Sequence, residues 1–206
     1  MEETITNLNL LNQAIRVATL AHTRQKQFRK GTDLPYIVHP YACAILAQNY
    51  TDDPEIIAAC LLHDVLEDVS PSIYSEADMR NDFGDSITNL VKLVSEPKTA
   101  AAPDSSSTPA ERPWRERKES YLQRLHAAED KRALMISCAD KICNLNDMLN
   151  DYETIGDALW QKFHADKDEL LWFYTSCLAE IRGHVPAAMS DLLAEILARL
   201  TNIINH

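Results

Sequence analysis

The sequence predicts an all-α fold, a bundle of about eight to ten helices. Two observations carry that expectation. Apolar residues recur at three- and four-residue steps along nearly the whole chain. Glycine is scarce, 4 in 206 residues and each isolated, so hairpin-rich β architecture lacks the residue its tight turns lean on.

The elements follow in order. Leu8, Leu11, Ile15, Ala18 and Ala21 mark one face of a first helix over residues 5–21. Residues 24–38 break that pattern with Arg24, Lys26, Arg29 and Lys30, then Gly31, Pro35 and the extended PYIVHP. This stretch reads as a positively charged loop. Pro40 suits the first turn of a helix reaching about Tyr50. Asp53-Pro54 supplies an N-cap acceptor and a proline at the first helical position. The helix from Glu55 to about Val69 is apolar on almost every side until His63, as a central buried helix must be.

Ser75 and Asp78 resemble a capping box for a short helix ending near Gly84, and Ile87, Leu90, Val91 and Val94 continue as an amphipathic helix. Residues 95–113 hold four of the nine prolines and several serines, which marks a flexible loop within one domain. Helices follow from about Trp114 to Ala128 and from about Lys131 to Leu149, with two or three more across 154–204. At roughly 150 residues per domain, residues 1–206 read as a single domain.

Composition excludes several functions. The chain carries 20 Lys+Arg against 31 Asp+Glu, a formal charge of −11, which argues against a nucleic-acid partner. Isolated glycines build no P-loop or dinucleotide fingerprint. No apolar run approaches the ~18 residues a membrane span needs, and MEETITNLNL has no export signal. A cytoplasmic protein with no membrane partner is expected. Cys43, Cys60, Cys138, Cys143 and Cys177 form no CxxC pair and read as buried reduced thiols.

The chemistry concentrates in HDVLED, residues 63–68, at the end of the most apolar helix. His63 and Glu67 lie one helical turn apart, as do Asp64 and Asp68. Three carboxylates in one place repel each other unless a cation or protons neutralise them. His39 sits at a helix start, and Asp140 interrupts the apolar run LMISCADKICNL. His39, His63, Asp64 and Asp140 would make a mixed N₂O₂ ligand set. That set suits Mn²⁺, Fe²⁺, Co²⁺ or Zn²⁺ better than Ca²⁺ or Mg²⁺. Two blander accounts stay open: HDVLED as a solvated helix end, and Asp140 as a buried ion-pair partner of Lys141 or Lys131.

The order His39, His63-Asp64, Asp140 resembles the H…HD…D signature of HD-domain phosphohydrolases. FRKGTDLPYIVHP, AACLLHDVLED and CADKICNL are similar to the three blocks of the hydrolase domain in the RelA/SpoT-type alarmone enzymes, above all the small single-domain hydrolases. The resemblance implies one Mn²⁺ ion on His39, His63, Asp64 and Asp140. It implies that Glu67 and Asp68 form the catalytic acidic pair, orienting or deprotonating water, or else only orient the ligands. Arg29 and Lys30 match the base- and phosphate-contacting loop, Tyr36 lies in the same block, and Asn144 matches a substrate-contacting asparagine. Arg117 and Lys118, in an ERK block, are expected near the distal phosphates. Lys167, Trp172 and Tyr174 are expected to close the nucleotide end of the cleft. The chain departs from the family at Cys143, where histidine or tyrosine is usual, and at Asn146, where arginine is usual.

The resemblance therefore implies a hydrolase that removes the 3′-pyrophosphate from guanosine or adenosine polyphosphates. The alternatives are a phosphohydrolase of other nucleotides and a non-catalytic nucleotide-sensing module. Neither guanine against adenine nor an oligomeric state is legible in the residues.

Overall fold

The computed structural model describes residues 2–96 and 113–205; most of the expected 95–113 loop lies outside them. Nine α-helices and one 3₁₀ helix make up the described chain, and no strand occurs among its residues. In order they are α1 (Glu2–Arg24), α2 (Val38–Gln48), α3 (Pro54–Leu62), α4 (Val65–Asp68), α5 (Glu76–Val94), α6 (Trp114–Ala127) and α7 (Arg132–Ile155). The 3₁₀ helix (Gly156–Lys162), α8 (Lys167–Ile181) and α9 (Ala187–Asn205) follow. None of the described helices is long and apolar enough to cross a membrane.

α3 is the centre. Asp53 caps it by accepting the Glu55 N–H at 2.9 Å, with Pro54 in its first turn. Every residue from Ile56 to Leu62 is buried. At about 1.5–3 kcal/mol for each fully buried large aliphatic side chain, this one helix organises much of the core. It packs against α1, α2, α5 and α7. α1 presents Ala14, Ala18 and Ala21 to the core, small side chains that let two helices approach closely.

The structure differs from expectation at three joints. The helix expected to run from Glu55 to about Val69 is divided: α3 stops at Leu62, and α4 resumes at Val65. His63 Nδ1 takes the Cys60 carbonyl at 2.8 Å, so the main-chain ladder lapses there. The Asp68 N–H still reaches the Asp64 carbonyl at 2.8 Å, which preserves the one-turn spacing. At Gly84 the two expected helices join as α5, with a left-handed kink (φ 75°, ψ 178°) that glycine permits. The Ser75–Asp78 capping box is present. Finally, α7 runs past Leu149 to Ile155.

The loop between α1 and α2 is more ordered than a basic loop suggests. Arg29 N–H reaches the Leu34 carbonyl at 2.8 Å and Tyr36 N–H the Gln27 carbonyl at 3.1 Å, around a Phe28–Pro35 bridge. Gly31 turns it with φ 76°. A Cβ at that glycine would meet the Lys162 side chain at 3.4 Å, so the loop abuts the 3₁₀ helix closely.

Candidate metal centre and adjoining cleft

Three chain segments bring the four sequence-predicted ligands together. His39 comes from the first turn of α2, His63 from the end of α3, Asp64 from the start of α4, and Asp140 from the middle of α7. His39 Nε2 lies 3.0 Å from Asp140 Oδ1 and 3.8 Å from Asp64 Oδ2. His63 Nε2 lies 3.1 Å from Asp64 Oδ2 and 3.6 Å from Asp140 Oδ1. Both imidazoles are buried.

The hydrogen bonds around the donors fix their chemistry. A carbonyl only accepts, so His63 Nδ1 keeps its proton for Cys60 and leaves Nε2 to face the two carboxylates. That Nε2 is buried without a hydrogen-bond partner among the described residues. Burial alone would push His63 below the ordinary histidine value, but Asp64 and Asp140 outweigh it and hold it well above. Burial likewise opposes ionisation of both acids. The His63 charge prevails at Asp64, and Lys141 with the two histidines prevails at Asp140, so both sit below the usual carboxylate range. Two carboxylates converge here with two imidazoles, so the centre calls for positive charge, supplied without an ion by the proton on His63 and the Lys141 ammonium.

A divalent metal fits that demand. Ligands held at about 2.0–2.2 Å from one ion lie roughly 3–3.5 Å apart, near the histidine–carboxylate separations of 3.0, 3.1, 3.6 and 3.8 Å here, although the donors that all lie within 4.8 Å of one another are His39, Cys43, His63 and Asp140, without Asp64. Outer partners hold the two candidate carboxylates in place. Tyr36 Oη donates to Asp64 Oδ2 at 2.7 Å. Asn144 Nδ2 donates to Asp140 Oδ1 at 2.5 Å, and Lys141 Nζ pairs with Asp140 Oδ2 at 2.5 Å. The ion-pair account of Asp140 therefore holds for one of its oxygens while the other faces the imidazoles. Lys141 is itself buried, its ammonium 4.6 Å from the Tyr121 ring centroid. Sequence reasoning missed Cys43, whose sulfur lies within 4.8 Å of the donor atoms of His39, His63 and Asp140. Burial pushes that thiol well up, so it packs against His39 as a neutral group.

Glu67 and Asp68 stand on α4, one turn beyond the histidine and aspartate. Glu67 Oε2 accepts the main-chain N–H of Glu96 at 2.7 Å. Burial first, then the charges of Asp64, Glu96 and Asp68, raises the Glu67 carboxyl to about 8.

A cleft of about 380 Å³ adjoins the centre. Tyr36 and Asn144 belong to its wall, and through their hydrogen bonds it meets the candidate ligands Asp64 and Asp140. Arg29, Lys30 and Tyr174 also line it, as expected, whereas Arg117, Lys118 and Lys167 do not. Lys118 pairs with Glu96, and Lys167 lies 4.9 Å from the Trp160 ring centroid. Trp172 meets Trp114 edge-on, with ring centroids 6.4 Å apart, and is absent from the cleft lining.

Sequence reasoning missed Asp147, Asp151, Lys162 and Phe163, all of which line the cleft. Each cation there has an internal partner: Arg29 pairs with Asp147 at 2.5 Å, Lys162 with Asp151 at 2.8 Å, and Lys30 with the Lys162 carbonyl. Asp147 and Asp151 were within reach of helical spacing, three and seven residues beyond Asn144. Lys162 offered no local signal.

A family model described as HD domain matches residues 14–168. The bifunctional (p)ppGpp synthase/hydrolase SpoT of Escherichia coli K12 is 34% identical over 190 residues, covering 91% of this chain and 24% of that protein. A GTP pyrophosphokinase of Streptomyces coelicolor is 34% identical over 142 residues, covering 68% of this chain and 15% of that protein. The chain thus spans about a quarter or less of these relatives. A solved metazoan ortholog of SpoT, described as hydrolysing ppGpp, superposes with a TM-score of 0.66 at 23% identity, over 92% of this chain and 94% of its own. A Listeria monocytogenes EGD-e protein superposes with a TM-score of 0.63 at 23% identity, over 84% and 97%. Both likenesses concern the fold.

Proposed function

The chain belongs to the HD domain family, and from that premise we propose that it is a metal-dependent hydrolase of alarmone nucleotides. It removes the 3′-pyrophosphate from a guanosine or adenosine polyphosphate, releasing pyrophosphate and the nucleoside 5′-phosphate species. One observation carries the reading: Tyr36 and Asn144, which hydrogen-bond Asp64 and Asp140 of the four-donor cluster, line a cleft that also holds Arg29, Lys30 and Lys162. The names of the relatives support the substrate class.

We assign the centre to one Mn²⁺, with Fe²⁺, Co²⁺ or Zn²⁺ as the alternatives its mixed donors accept. When bound, such an ion lowers the pKa of water and offsets the charge growing on the phosphoryl oxygens. The chain's own groups do the rest. Tyr36, Asn144 and Lys141 keep the ligand carboxylates in one orientation. Asp68, and Glu67 once ionised, take the proton of the attacking water as its oxygen bonds to the phosphorus attached to the ribose 3′-oxygen. The bond from that phosphorus to the 3′-oxygen breaks, and the proton returns to the departing hydroxyl. Arg29, Lys30 and Lys162 exchange their internal partners for the polyphosphate, and the Arg29 plane stacks on the purine. Tyr174 completes the cleft wall. Arg117 and Lys167 receive no substrate contact in this reading.

Purified protein stripped with EDTA and reloaded with Mn²⁺ should release pyrophosphate from nucleotides bearing a 3′-pyrophosphate and ignore those phosphorylated only at the 5′ position. Equal activity with and without metal would overturn the reading. A second reading, hydrolysis of another nucleotide, is favoured by Asn146, where the resembling enzymes carry arginine. The same nucleotide panel decides between them.

A further inference from the structure

Glu67 is held from outside its own helix. The N–H that it accepts belongs to Glu96, two residues beyond α5, and the Glu96 side chain is itself buried at 5% exposure. A buried carboxylate needs a counter-charge. Lys118, from α6, supplies it: its Nζ lies 2.5 Å from Glu96 Oε1. The other Glu96 oxygen is buried without a hydrogen-bond partner among the described residues. The ammonium also lies 4.5 Å from the Phe173 ring centroid and 5.7 Å from that of Trp114. Lys118 is thus enclosed by rings on one side and a carboxylate on the other, and it is absent from the cleft lining.

α6 grips the same segment a second time. Arg124 donates to the Ser95 carbonyl at 2.6 Å. Ser95 Oγ in turn reaches the His63 carbonyl at 3.3 Å. Residues 95 and 96 are therefore joined to the metal-centre helices in front and to α6 behind.

We propose that Lys118 is a positioning residue: by neutralising Glu96 it fixes the main-chain N–H that orients the Glu67 carboxylate, and it makes no contact with substrate phosphate. This rests on the reading of Glu67 as the proton acceptor. Without the ammonium, Glu96 is a buried anion that has lost the cation 2.5 Å from its Oε1. The segment must then move or take up a proton, and in moving it releases Glu67.

The test is Lys118→Met, with Lys118→Arg as the conservative rescue, measured in kcat, KM, bound metal and hydrogen exchange of the Glu96 amide. The expected result for Lys118→Met is a fall in kcat of about 10- to 100-fold, the usual cost of losing a group that orients a site from behind. KM should stay within about twofold, metal content should be unchanged, and the Glu96 amide should exchange faster. Lys118→Arg should recover most of the loss. A raised KM with kcat intact would make Lys118 a phosphate contact and overturn the inference, as would an unchanged kcat with a protected Glu96 amide. If Lys118→Met does not fold, Glu96→Gln keeps the shape and removes the charge, and it should give the same pattern at smaller amplitude. If the wild-type chain hydrolyses no alarmone, the functional reading fails by itself. The Glu96 amide then decides the positioning role alone, faster exchange supporting it and unchanged exchange refuting it.

Discussion

The phenol of Tyr36 donates to Asp64 Oδ2 at 2.7 Å, tying the basic loop to a carboxylate of the candidate metal centre. Tyr36→Phe removes that one hydrogen bond and almost no volume. It should weaken Mn²⁺ binding about 10-fold by calorimetry, with thermal stability of the metal-free protein nearly unchanged. An unaltered affinity would mean that Asp64 needs no help to hold its orientation.

The centre should take one ion per chain. Elemental analysis of wild-type protein after Mn²⁺ loading and gel filtration should show that ratio, and His63→Ala should show none. Because the ion binds only the folded chain, loading should raise the wild-type melting temperature and leave that of His63→Ala alone. Retained metal in the variant would place the ion elsewhere.

Glu67, raised to about 8 by burial and by neighbouring carboxylates, links stability to pH. Its folded value lies above its unfolded one, so the folded chain binds the extra proton. Stability from this group is full below the unfolded value and is lost as pH rises through about 8. In EDTA, Glu67→Gln should therefore match wild type near pH 5 and melt a few degrees higher near pH 9. Turnover with metal should fall about 100-fold or more. Identical melting at both pH values would show that the carboxyl is not held in its neutral form.

Asp147 holds Arg29 at 2.5 Å in the free chain. Asp147→Asn removes a negative charge from the cleft and loosens Arg29 for the polyphosphate. KM for a nucleotide 3′-pyrophosphate should drop severalfold at low salt, with the gain fading as ionic strength rises. A higher KM would instead make Asp147 a contact to the base.

The helices and the four candidate ligands were legible in the residues, because local pattern determines both. His63-Asp64 closes an apolar helix, and Asp140 interrupts another, so each stands out against its neighbours. The break between α3 and α4 was hidden, since it depends on which acceptor the His63 ring chooses. Lys162 and Phe163 were hidden for another reason. They reach the cleft because the 3₁₀ helix folds back against Gly31, a meeting of residues about 130 apart that no periodicity encodes. Lys118 was legible as part of a motif, but not the buried carboxylate that engages it. Residues 97–112, most of the stretch expected as a flexible loop, lie outside the described chain.

α3 has no water-facing residue in its last two turns, and it ends on His63. A donor mounted there inherits the stiffness of the molecule's most protected backbone, whose amides should be the last to exchange with solvent. The hairpin-like bend at 27–36 and the 3₁₀ helix carry no such burden. A substitution in that bend away from Tyr36 should therefore leave the α3 backbone undisturbed, whereas one along α3 should loosen His63 itself.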